Sequence, residues 1–367
     1  MPAAQDARYL ALALSLGRRG QGRCWPNPAV GCVIVKEGRI LGRGWTQPGG
    51  RPHAETVALA QAGAAARGAT AYVSLEPCAH HGKTPPCAEA LIAAGIARVV
   101  APIADIDPKV DGQGFAMLRA AGIEVSTGLM AQEALEDHAG FFLNREQGRP
   151  FVTLKLALSL DGRIATATGE SKWITGPAAR HEVHAMRARH DAVMVGAGTA
   201  RADDPTLTVR DMGLDFQPVR IVISRRLDLP LMGQLARTAR AIPVWICHGR
   251  DADPALIEAW QGLGARLIAC DLAGRQLDIS SVLQELGAAG LTRVFCEGGG
   301  ALAATLIGAD LVDELVIFSA GLLLGAEGRP GMGALGLERL GEAPRLTLLE
   351  ERRVGVDVMS RWTRANV

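Results

Sequence analysis

The sequence predicts an α/β protein with two domains. Its 367 residues are enough for two domains of ordinary size, each able to bury a hydrophobic core. Short β-branched runs alternate with helical patterns along most of the chain, which is typical of a parallel or mixed sheet covered by helices. Residues 144–150 are polar and contain Gly and Pro, as linkers often do. We therefore expect one domain over residues 1–146 and a second over residues 150–367.

Composition and charge exclude several classes of function. The 39 Lys and Arg residues nearly balance the 38 Asp and Glu residues, which argues against a nucleic-acid groove or a basic membrane-binding surface. No apolar run approaches the roughly 18 residues of a membrane span, and residues 1–8 show no signal-peptide pattern. The seven cysteines are odd in number and widely spread, which favours metal binding or burial over a disulfide framework. We expect a cytoplasmic protein that acts on small molecules.

The helices and strands of the first half follow from apolar spacing and from turn residues. The expected strands are residues 30–35, 40–45, 71–75, 97–102 and 123–125, and the expected helices are residues 6–19, 54–66, 114–121 and 132–142. Trp25-Pro26-Asn27-Pro28 is a rigid turn before the first strand. Asn27 is held there by two prolines, so its amide either reads the edge of a ligand or bonds its own backbone as an ordinary turn residue.

Four residues of the first half form the set that a catalytic zinc ion needs. His53 and Glu55 stand at the start of an Ala-rich helix, and Cys78 and Cys87 each follow a proline. A catalytic zinc takes three protein ligands and keeps a fourth position for water, so His53, Cys78 and Cys87 are the predicted ligands and Glu55 is left to move protons. A lone H-x-E more often marks a solvated helix face, but the two Pro-Cys pairs favour zinc. Deamination of a nitrogen heterocycle requires these groups.

This region resembles the zinc-dependent cytidine-deaminase-like superfamily, whose signature is H-x-E followed by P-C-x-x-C. Eight residues separate Cys78 from Cys87 here, and the longer form E-P-C-x-H-x-G-x-T-P-P-C is similar to the deaminase domain of the RibD family of bacterial riboflavin-biosynthesis proteins. The early W-P-N-P-x-V-G stretch matches the same family, and this resemblance implies that Asn27 contacts the substrate. It also assigns the metal to the two cysteines and not to His80 or His81.

Two lysines near this motif are further candidates. Lys83 lies in the loop between the cysteines, where an ammonium group suits an anionic part of the substrate. Lys109 belongs to D-x-D-P-K-V-x-G-x-G, a region of the deaminase domain in the family. It is either a substrate contact or an ordinary loop residue.

The strand and helix pattern restarts after Pro150. Residues 151–159 and 293–296 are expected strands, residues 177–189 are an expected helix, and two strands are expected to close the chain. The sequence G-A-G at residues 196–198 lacks the third glycine of a dinucleotide fingerprint, which disfavours a Rossmann domain. Glu297-Gly298-Gly299-Gly300 follows a strand and precedes a helix. It is either a phosphate site at a helix N-terminus or a structural turn.

Four motifs of the second half resemble the reductase domain of the RibD family: K-x-A-x-S-L-D-G-R-I-A, G-E-S-K-W-I-T-G, D-A-V-x-V-G-A-G-T and A-D-D-P-x-L-T-V-R. The resemblance implies a dihydrofolate-reductase-like fold and NADPH as cofactor. The positions aligned with cofactor contacts are Ala157, Trp173, Thr199, Asp203, Ser224, Gly299, Gly300, Ala301, Leu302, Ala303, Ala304 and Thr305. The positions aligned with substrate contacts are Ser171, Arg187, Leu207, Arg210 and Glu297. Arg187 and Arg210 offer planar forks that suit a phosphate monoester. One departure is Ala320, where the family commonly has a proline.

The two resemblances together imply a cytidine-deaminase-like α/β/α domain followed by a dihydrofolate-reductase-like α/β domain. The expected reactions are zinc-dependent deamination of 2,5-diamino-6-(5-phosphoribosylamino)pyrimidin-4(3H)-one and NADPH-dependent reduction of the ribosyl side chain, by a homodimer or higher homo-oligomer. One alternative is a nucleic-acid or nucleoside base deaminase with an accessory nucleotide-binding domain. Another is a non-catalytic zinc-stabilised protein, which would require a fourth protein ligand to the metal.

Overall fold

The computed structural model of the protein describes residues 2–81, 85–107 and 111–364. The chain divides into two compact units, Met1–Gly148 and Arg149–Val367, each with its own sheet and core. No helix among the described residues combines the length and the apolar character needed to cross a membrane.

The first unit contains a five-stranded mixed sheet. Its helices are α1 (Pro2–Gly17), α2 (Ala54–Ala62), α3 (Cys87–Ala93), α4 (Gln113–Ala120) and α5 (Ala131–Gln147), and its strands are β1 (Gly31–Lys36), β2 (Arg39–Trp45), β3 (Thr70–Val73), β4 (Arg98–Val100) and β5 (Glu124–Ser126). The strand order is β2-β1-β3-β4-β5. Strand β1 runs antiparallel to both neighbours, whereas β3, β4 and β5 are parallel. The carboxyl ends of β3 and β4 therefore lie at the same edge.

Successive side chains of β1 pack into two different hydrophobic cores. Cys32 and Ile34 pack in a cluster with residues of α2, α3 and α4, whereas Val33 and Val35 pack in a cluster with residues of α1. Because successive side chains of a strand point to opposite faces, the sheet is covered on both sides. The predicted α/β/α arrangement is confirmed.

Helix α2 lies directly on the backbone of β2. A Cβ atom on Gly42 would stand 2.1 Å from the carbonyl oxygen of Ala58, and one on Gly44 would stand 2.2 Å from that of Ala54. Only glycine permits this approach. The close packing fixes the start of α2, where His53 and Glu55 lie.

The second unit is built on a nine-stranded sheet. Its helices are α6 (Pro177–Ala188), α7 (Ala197–Asp203), α8 (Gln234–Thr238), α9 (Pro254–Gly262), α10 (Ile279–Ala288) and α11 (Gly300–Gly308). Its strands are β6 (Phe151–Ser159), β7 (Arg163–Ala165), β8 (Ala192–Gly196), β9 (Val219–Ile223), β10 (Val244–Gly249), β11 (Arg266–Cys270), β12 (Leu272–Ala273), β13 (Gln276–Leu277), β14 (Arg293–Cys296), β15 (Glu314–Ala320), β16 (Arg329–Pro330), β17 (Leu346–Val354) and β18 (Asp357–Arg364).

The large sheet has the order β11-β10-β9-β8-β14-β6-β15-β18-β17. The seven strands from β11 to β15 are parallel, and the hairpin of β17 and β18 adds two antiparallel strands at one end. The carboxyl ends of β9, β8, β14 and β6 therefore meet at one edge, which is where ligands bind in open α/β sheets. The expected α/β class of the second domain and its two closing strands are confirmed.

The boundary between the two units, after Gly148, falls inside the expected linker at residues 144–150, but the first four residues of that stretch are helical. Residues 144–147 complete helix α5, and Gly148 ends the helix in the left-handed conformation with φ 70°, while its N–H donates to the carbonyl of Asn144 at 3.0 Å. Arg145 supports this last turn, because its guanidinium lies 5.1 Å from the centre of the Phe141 ring and 3.3 Å from Asp107 Oδ2. Polar composition here reflects an exposed helix end.

Candidate active sites

The first site brings together one imidazole and two thiols. His53 precedes α2 as its N-cap, Cys78 lies in the loop after β3, and Cys87 is the first residue of α3. His53 Nδ1 is 3.3 Å from Cys87 Sγ and 3.6 Å from Cys78 Sγ, and the three ligand atoms all lie within 4.8 Å of one another. A tetrahedral zinc site with ordinary bond lengths places such atoms roughly 3.5 to 4 Å apart. The donor set and its spacing fit zinc.

Hydrogen bonding inside this group polarises the two thiols. Hydrogen bonding to the Cys87 thiol is the main cause that lowers the pKa of Cys78 to about 4. Burial opposes this shift, whereas His53 and the backbone N–H of Cys87, which lies 3.3 Å from Cys78 Sγ, support it. Hydrogen bonding to Cys78 and burial raise the pKa of Cys87. A bound metal would require both cysteines as thiolates.

Glu55 lies in the first turn of α2 and is 3% exposed. Burial raises the pKa of this carboxyl group to about 7, and the negative charge of Cys78 acts in the same direction. A group that titrates near neutral pH can both accept and return a proton, so Glu55 suits general acid/base chemistry beside the three ligands.

Glu76 is a site residue that the sequence did not reveal. Its buried carboxylate accepts three backbone N–H groups at 3.0 Å each, from Asp105, Gly112 and Phe115. A Cβ on Gly114 would stand 2.0 Å from the carbonyl oxygen of Pro77, so the start of α4 packs tightly on the segment that leads into Cys78. Glu76 thus connects the loop of the metal ligands with the loop after β4.

The other residues predicted for the first site differ in the contacts that the structure shows for them. The side-chain amide of Asn27 donates to the carbonyl of Gly50 at 2.9 Å and joins two loops. His81 lies 3.5 Å from Glu89, and the metal-ligand cluster found in the described part of the chain includes neither His80 nor His81. Lys83 and Lys109 lie outside the described residues.

The second unit contains a buried charge cluster at the adjacent strands β6 and β14. Arg187 Nε and Nη2 donate to the two carboxylate oxygens of Glu297 at 2.5 and 3.0 Å, and Lys155 Nζ lies 3.9 Å from Glu297 Oε2. Arg187 and Lys155 hold the pKa of Glu297 below its ordinary value although burial opposes them. Burial lowers the pKa of Lys155, and Glu297 partly restores it. The cluster can offer the positive charges of Arg187 and Lys155 to a polar substrate, and Lys155 can carry a transferable proton.

Only some of the residues aligned with substrate contacts are connected with this charge cluster. Arg187 Nη1 donates to the carbonyl of Thr208 at 2.7 Å, which connects the charge cluster with the loop that carries Leu207 and Arg210. Arg210 is exposed and donates to Thr206 Oγ1 at 2.8 Å. Leu207 is buried with φ 53°. Among the described residues, no side-chain hydrogen bond connects Ser171 with this cluster.

Several residues aligned with cofactor contacts lie at the carboxyl edge of the large sheet. Thr199 follows β8 and accepts the N–H of Gly299 at 3.2 Å, and Ser224 follows β9 and donates to Asp228 Oδ1 at 3.0 Å. Gly299 caps α11, so the glycine run opens a nine-residue helix whose free N–H groups face that edge. Ala157 lies in β6, Asp203 ends α7, and the other aligned positions, Gly300, Ala301, Leu302, Ala303, Ala304 and Thr305, form the first turns of α11.

Trp173 is separate from that group. It is 67% exposed, stacks with Arg180 at 4.5 Å, and lines a cavity of about 470 Å³ together with Gly176, Ala320 and Asp357. None of the other cofactor-aligned residues lines this cavity. Ala320, the departure from the family pattern, is buried at its wall.

Comparison with known proteins gives two family matches that divide the chain as the two sites do. Residues 3–103 match the cytidine and deoxycytidylate deaminase zinc-binding region, and residues 150–360 match the RibD C-terminal domain. Fold and sites therefore define a zinc-binding deaminase joined to a reductase.

Full-length relatives and solved structures make the assignment specific. The chain is 43% identical to the riboflavin biosynthesis protein RibD of Escherichia coli strain K12, over 96% of this chain and 98% of that protein. It is 39% identical to RibD of Aquifex aeolicus, over 96% and 97%. Among solved structures, Acinetobacter baumannii RibD superposes with a TM-score of 0.88 at 38% identity, covering 99% of this chain and 100% of that one.

A Thermotoga maritima diaminohydroxyphosphoribosylaminopyrimidine deaminase/5-amino-6-(5-phosphoribosylamino)uracil reductase superposes with a TM-score of 0.87 at 31% identity, and each chain is fully covered. The chain belongs to the RibD family of bifunctional riboflavin-biosynthesis enzymes. It is a deaminase with a zinc-binding domain and a reductase that uses NADPH.

Proposed function

We propose that this enzyme deaminates 2,5-diamino-6-(5-phosphoribosylamino)pyrimidin-4(3H)-one and then reduces the ribosyl group of the product, giving 5-amino-6-(5-phosphoribitylamino)uracil. The unit Met1–Gly148 carries out the first step, and the unit Arg149–Val367 carries out the second. The main support is the convergence of His53, Cys78 and Cys87 on one point beside the buried Glu55. The activities that name the T. maritima relative agree with this assignment.

In the deaminase step, His53, Cys78 and Cys87 would hold the zinc ion, which would supply a water molecule of lowered pKa. Glu55 accepts one proton of that water and delivers it to the ring nitrogen as the oxygen adds to the carbon that bears the amino group. It then transfers the remaining proton of the added oxygen to the amino group, which leaves as ammonia when the C–N bond breaks. Its pKa near 7 suits both transfers. Asn27 and Lys83 contact the substrate, Asn27 at the pyrimidine and Lys83 at an anionic group.

In the reductase step, bound NADPH would supply a hydride to the sugar C1′, the C1′–O4′ bond would break, and O4′ would take up a proton. The part of the protein is to orient the two molecules and to exclude water. Thr199, Asp203, Ser224, Ala157, Trp173 and the α11 turn from Gly299 to Thr305 bind the cofactor. Ser171, Arg187, Leu207, Arg210 and Glu297 bind the substrate, with the two arginines at its phosphate. Lys155, which lies 3.9 Å from Glu297, and Asp203 are the two residues to substitute first in a test for the proton donor.

The proposed assembly is a homodimer in the cytoplasm. The support is the resemblance to a family of homo-oligomeric biosynthetic enzymes. Light scattering of the purified full chain tests the assembly, and a mass of one chain at micromolar concentration would contradict it.

The decisive variant is Glu55→Gln, which keeps the size of the side chain and removes its acid/base capacity. Ammonia release from the diaminopyrimidine substrate should fall at least about 100-fold, because general acid/base catalysis contributes at least that much. NADPH oxidation with substrate that is already deaminated should stay within a factor of two. Glu89→Gln, at a half-exposed residue of α3, is the matched control.

Two results would overturn the assignment. Undiminished ammonia release by Glu55→Gln would remove Glu55 from the mechanism. If chelation of the bound metal abolished NADPH oxidation together with ammonia release, the two sites could not be independent. Zinc content, measured by atomic absorption, should be about one ion per chain and should be lost in Cys78→Ala.

A further inference from the structure

The loop between α7 and β9 has an unusual backbone. Three of its residues that are not glycine have positive φ angles, 40° for Asp204, 53° for Leu207 and 58° for Asp211. Side chains with a Cβ rarely adopt this conformation, and it persists only where the surroundings determine it. The loop carries Leu207 and Arg210, two residues assigned to the substrate in the proposed function.

Side chains hold the backbone of this loop at three positions. Arg187 Nη1 on α6 donates to the carbonyl of Thr208 at 2.7 Å, and Arg220 Nη1 on β9 donates to that of Thr206 at 3.3 Å. Within the loop, the Gln217 amide bonds both the N–H and the carbonyl of Val209, at 2.7 and 3.0 Å. The loop conformation is therefore held by contacts within the protein.

His184 provides a further contact, at Arg210. The backbone N–H of Arg210 donates to His184 Nδ1 at 3.3 Å. A backbone N–H can only donate, so Nδ1 must carry a lone pair and the ring proton must be on Nε2. A protonated imidazole would place an N–H against another N–H and would lose this bond.

Burial and neighbouring charges lower the pKa of His184. Burial lowers its pKa, and so do Arg187, one turn further along α6, and Arg210 on the loop. Glu297, at the end of β14, and the backbone of Thr208 act in the opposite direction. Lys155 on β6 lies 3.9 Å from Glu297 and adds a further positive charge to the cluster.

We propose that His184 is a positioning residue of the reductase. As a neutral imidazole it accepts the backbone N–H of Arg210 and so fixes Arg210, with Arg187, in the arrangement that receives the phosphate monoester of the substrate. Removal or protonation of the imidazole then weakens substrate binding and leaves hydride transfer largely intact. This inference rests on the proposed reductase function, and it adds a residue that does not itself touch the substrate.

The variants His184→Asn and His184→Leu form a matched pair for the test. Asn and Leu have the same shape, but only the Asn side chain has an oxygen near the position of Nδ1. His184→Leu should raise the KM for the phosphorylated, deaminated substrate about tenfold, since it leaves a backbone N–H without its acceptor. Its kcat should change less than threefold, and His184→Asn should keep KM within about threefold of the parent protein.

The pH profile separates positioning from a general packing role. In the parent protein, KM should rise as the pH falls below the ordinary range of histidine, because protonation removes the acceptor. The phosphate of the substrate also titrates near pH 6, but it does so equally in every variant. The KM of His184→Asn should therefore rise less at low pH than the KM of the parent protein, because the variant has no imidazole to protonate.

The same polypeptide contains an internal control for folding. Ammonia release by the deaminase unit and the thermal unfolding profile should be unchanged in both variants. Equal KM values for the Leu variant and the parent, or identical pH profiles for the parent and the Asn variant, would overturn the role of His184. Absence of NADPH oxidation in the parent protein itself would instead contradict the proposed function on which the inference rests.

Discussion

A buried carboxyl group lies in the first unit at Asp105, in the loop after β4. Burial raises the pKa of Asp105 to about 6, although the backbone N–H of Asp107 donates to it at 2.9 Å. The unfolded chain has an aspartate of ordinary pKa, near 3.8. Between these two values the folded state binds a proton that the unfolded state does not, so stability falls as the pH rises from about 4 to about 6.

Asp105→Asn should remove this dependence, because the amide oxygen can still accept the N–H of Asp107 and carries no charge. The variant should be more stable than the parent at pH 7.5 by up to about 3 kcal/mol, the equivalent of a shift of roughly two pKa units. At pH 4 the two proteins should be equally stable. Urea unfolding of the first unit at both pH values measures the difference, and an equal gain at both would show that ionisation is not the cause.

The site residues that could be predicted from the sequence are those whose side chains bind the metal or move protons. His53, Glu55, Cys78 and Cys87 belong to short motifs, and the structure brings the ligand atoms of His53, Cys78 and Cys87 within 4.8 Å of one another. The buried Glu55 interacts with both cysteines. Glu76 and His184 act by accepting backbone N–H groups of residues that are distant in sequence, 29 to 39 positions away for Glu76 and 26 for His184. No local pattern shows such a partner, because every residue except proline offers the same N–H.

The loop after β4 and the start of α4 depend on one carboxylate, that of Glu76. Glu76→Ala would leave three buried N–H groups without an acceptor, and it should destabilise the first unit by at least about 3 kcal/mol. Hydrogen exchange at the amides of Asp105, Gly112 and Phe115 should accelerate more than elsewhere in the unit. Glu133→Ala, at an exposed residue of α5, should change stability by less than about 1 kcal/mol.

Uniform acceleration across the whole unit, with no excess at these three amides, would show that Glu76 stabilises the core and not the loop. The variant Glu76→Gln tests whether the negative charge of Glu76 or the number of hydrogen bonds that its side chain accepts is responsible. Its single amide oxygen can replace only some of the three bonds, so its effect should lie between those of the parent and Glu76→Ala.

Element boundaries were predictable where glycine or proline marks them. Strand β6 begins at Phe151, directly after Pro150, and α6 begins at Pro177, both as predicted. The end of α5 was not predictable from polarity, because Asn144, Glu146 and Gln147 serve equally well in a linker and on an exposed helix face. The helix instead continues to the left-handed Gly148, and Arg145 contacts Phe141 in its last turn, a contact that composition does not show.

The second unit begins with a buried ion pair that closes a long segment of chain. Arg149 donates through two nitrogens to Asp313, at 2.7 and 2.9 Å, and Asp313 also accepts the N–H of Val152. Both side chains are at most 10% exposed. Arg149→Ala should destabilise the second unit by about 3 to 5 kcal/mol, since it leaves a buried charge without its partner.

Calorimetry of the full chain measures this effect. The transition of the second unit should move to lower temperature, and that of the first unit should stay in place. Arg250→Ala is the control, because the Arg250–Asp271 pair is about two-thirds exposed and should contribute at most about 1 kcal/mol. A shift of both transitions by the Arg149 variant would mean that the two units unfold together.

At the scale of the molecule, the sequence predicted two α/β domains but not the order of their strands. Strand β14 lies between β8 and β6 in the large sheet, although nearly a hundred residues of chain separate β14 from β8. Parallel pairing over such a distance depends on tertiary packing, and a short apolar run such as Val294 and Phe295 is equally compatible with several neighbours.

The division into two units on one polypeptide also has a consequence for the supply of the two activities. Each translated chain adds one deaminase and one reductase, so gene expression cannot change their ratio. The level of the intermediate between the two reactions must then be set by the relative turnover of the two sites. A substitution that slows only the second site would make the cell accumulate deaminated, unreduced pyrimidine, whatever the amount of enzyme it makes.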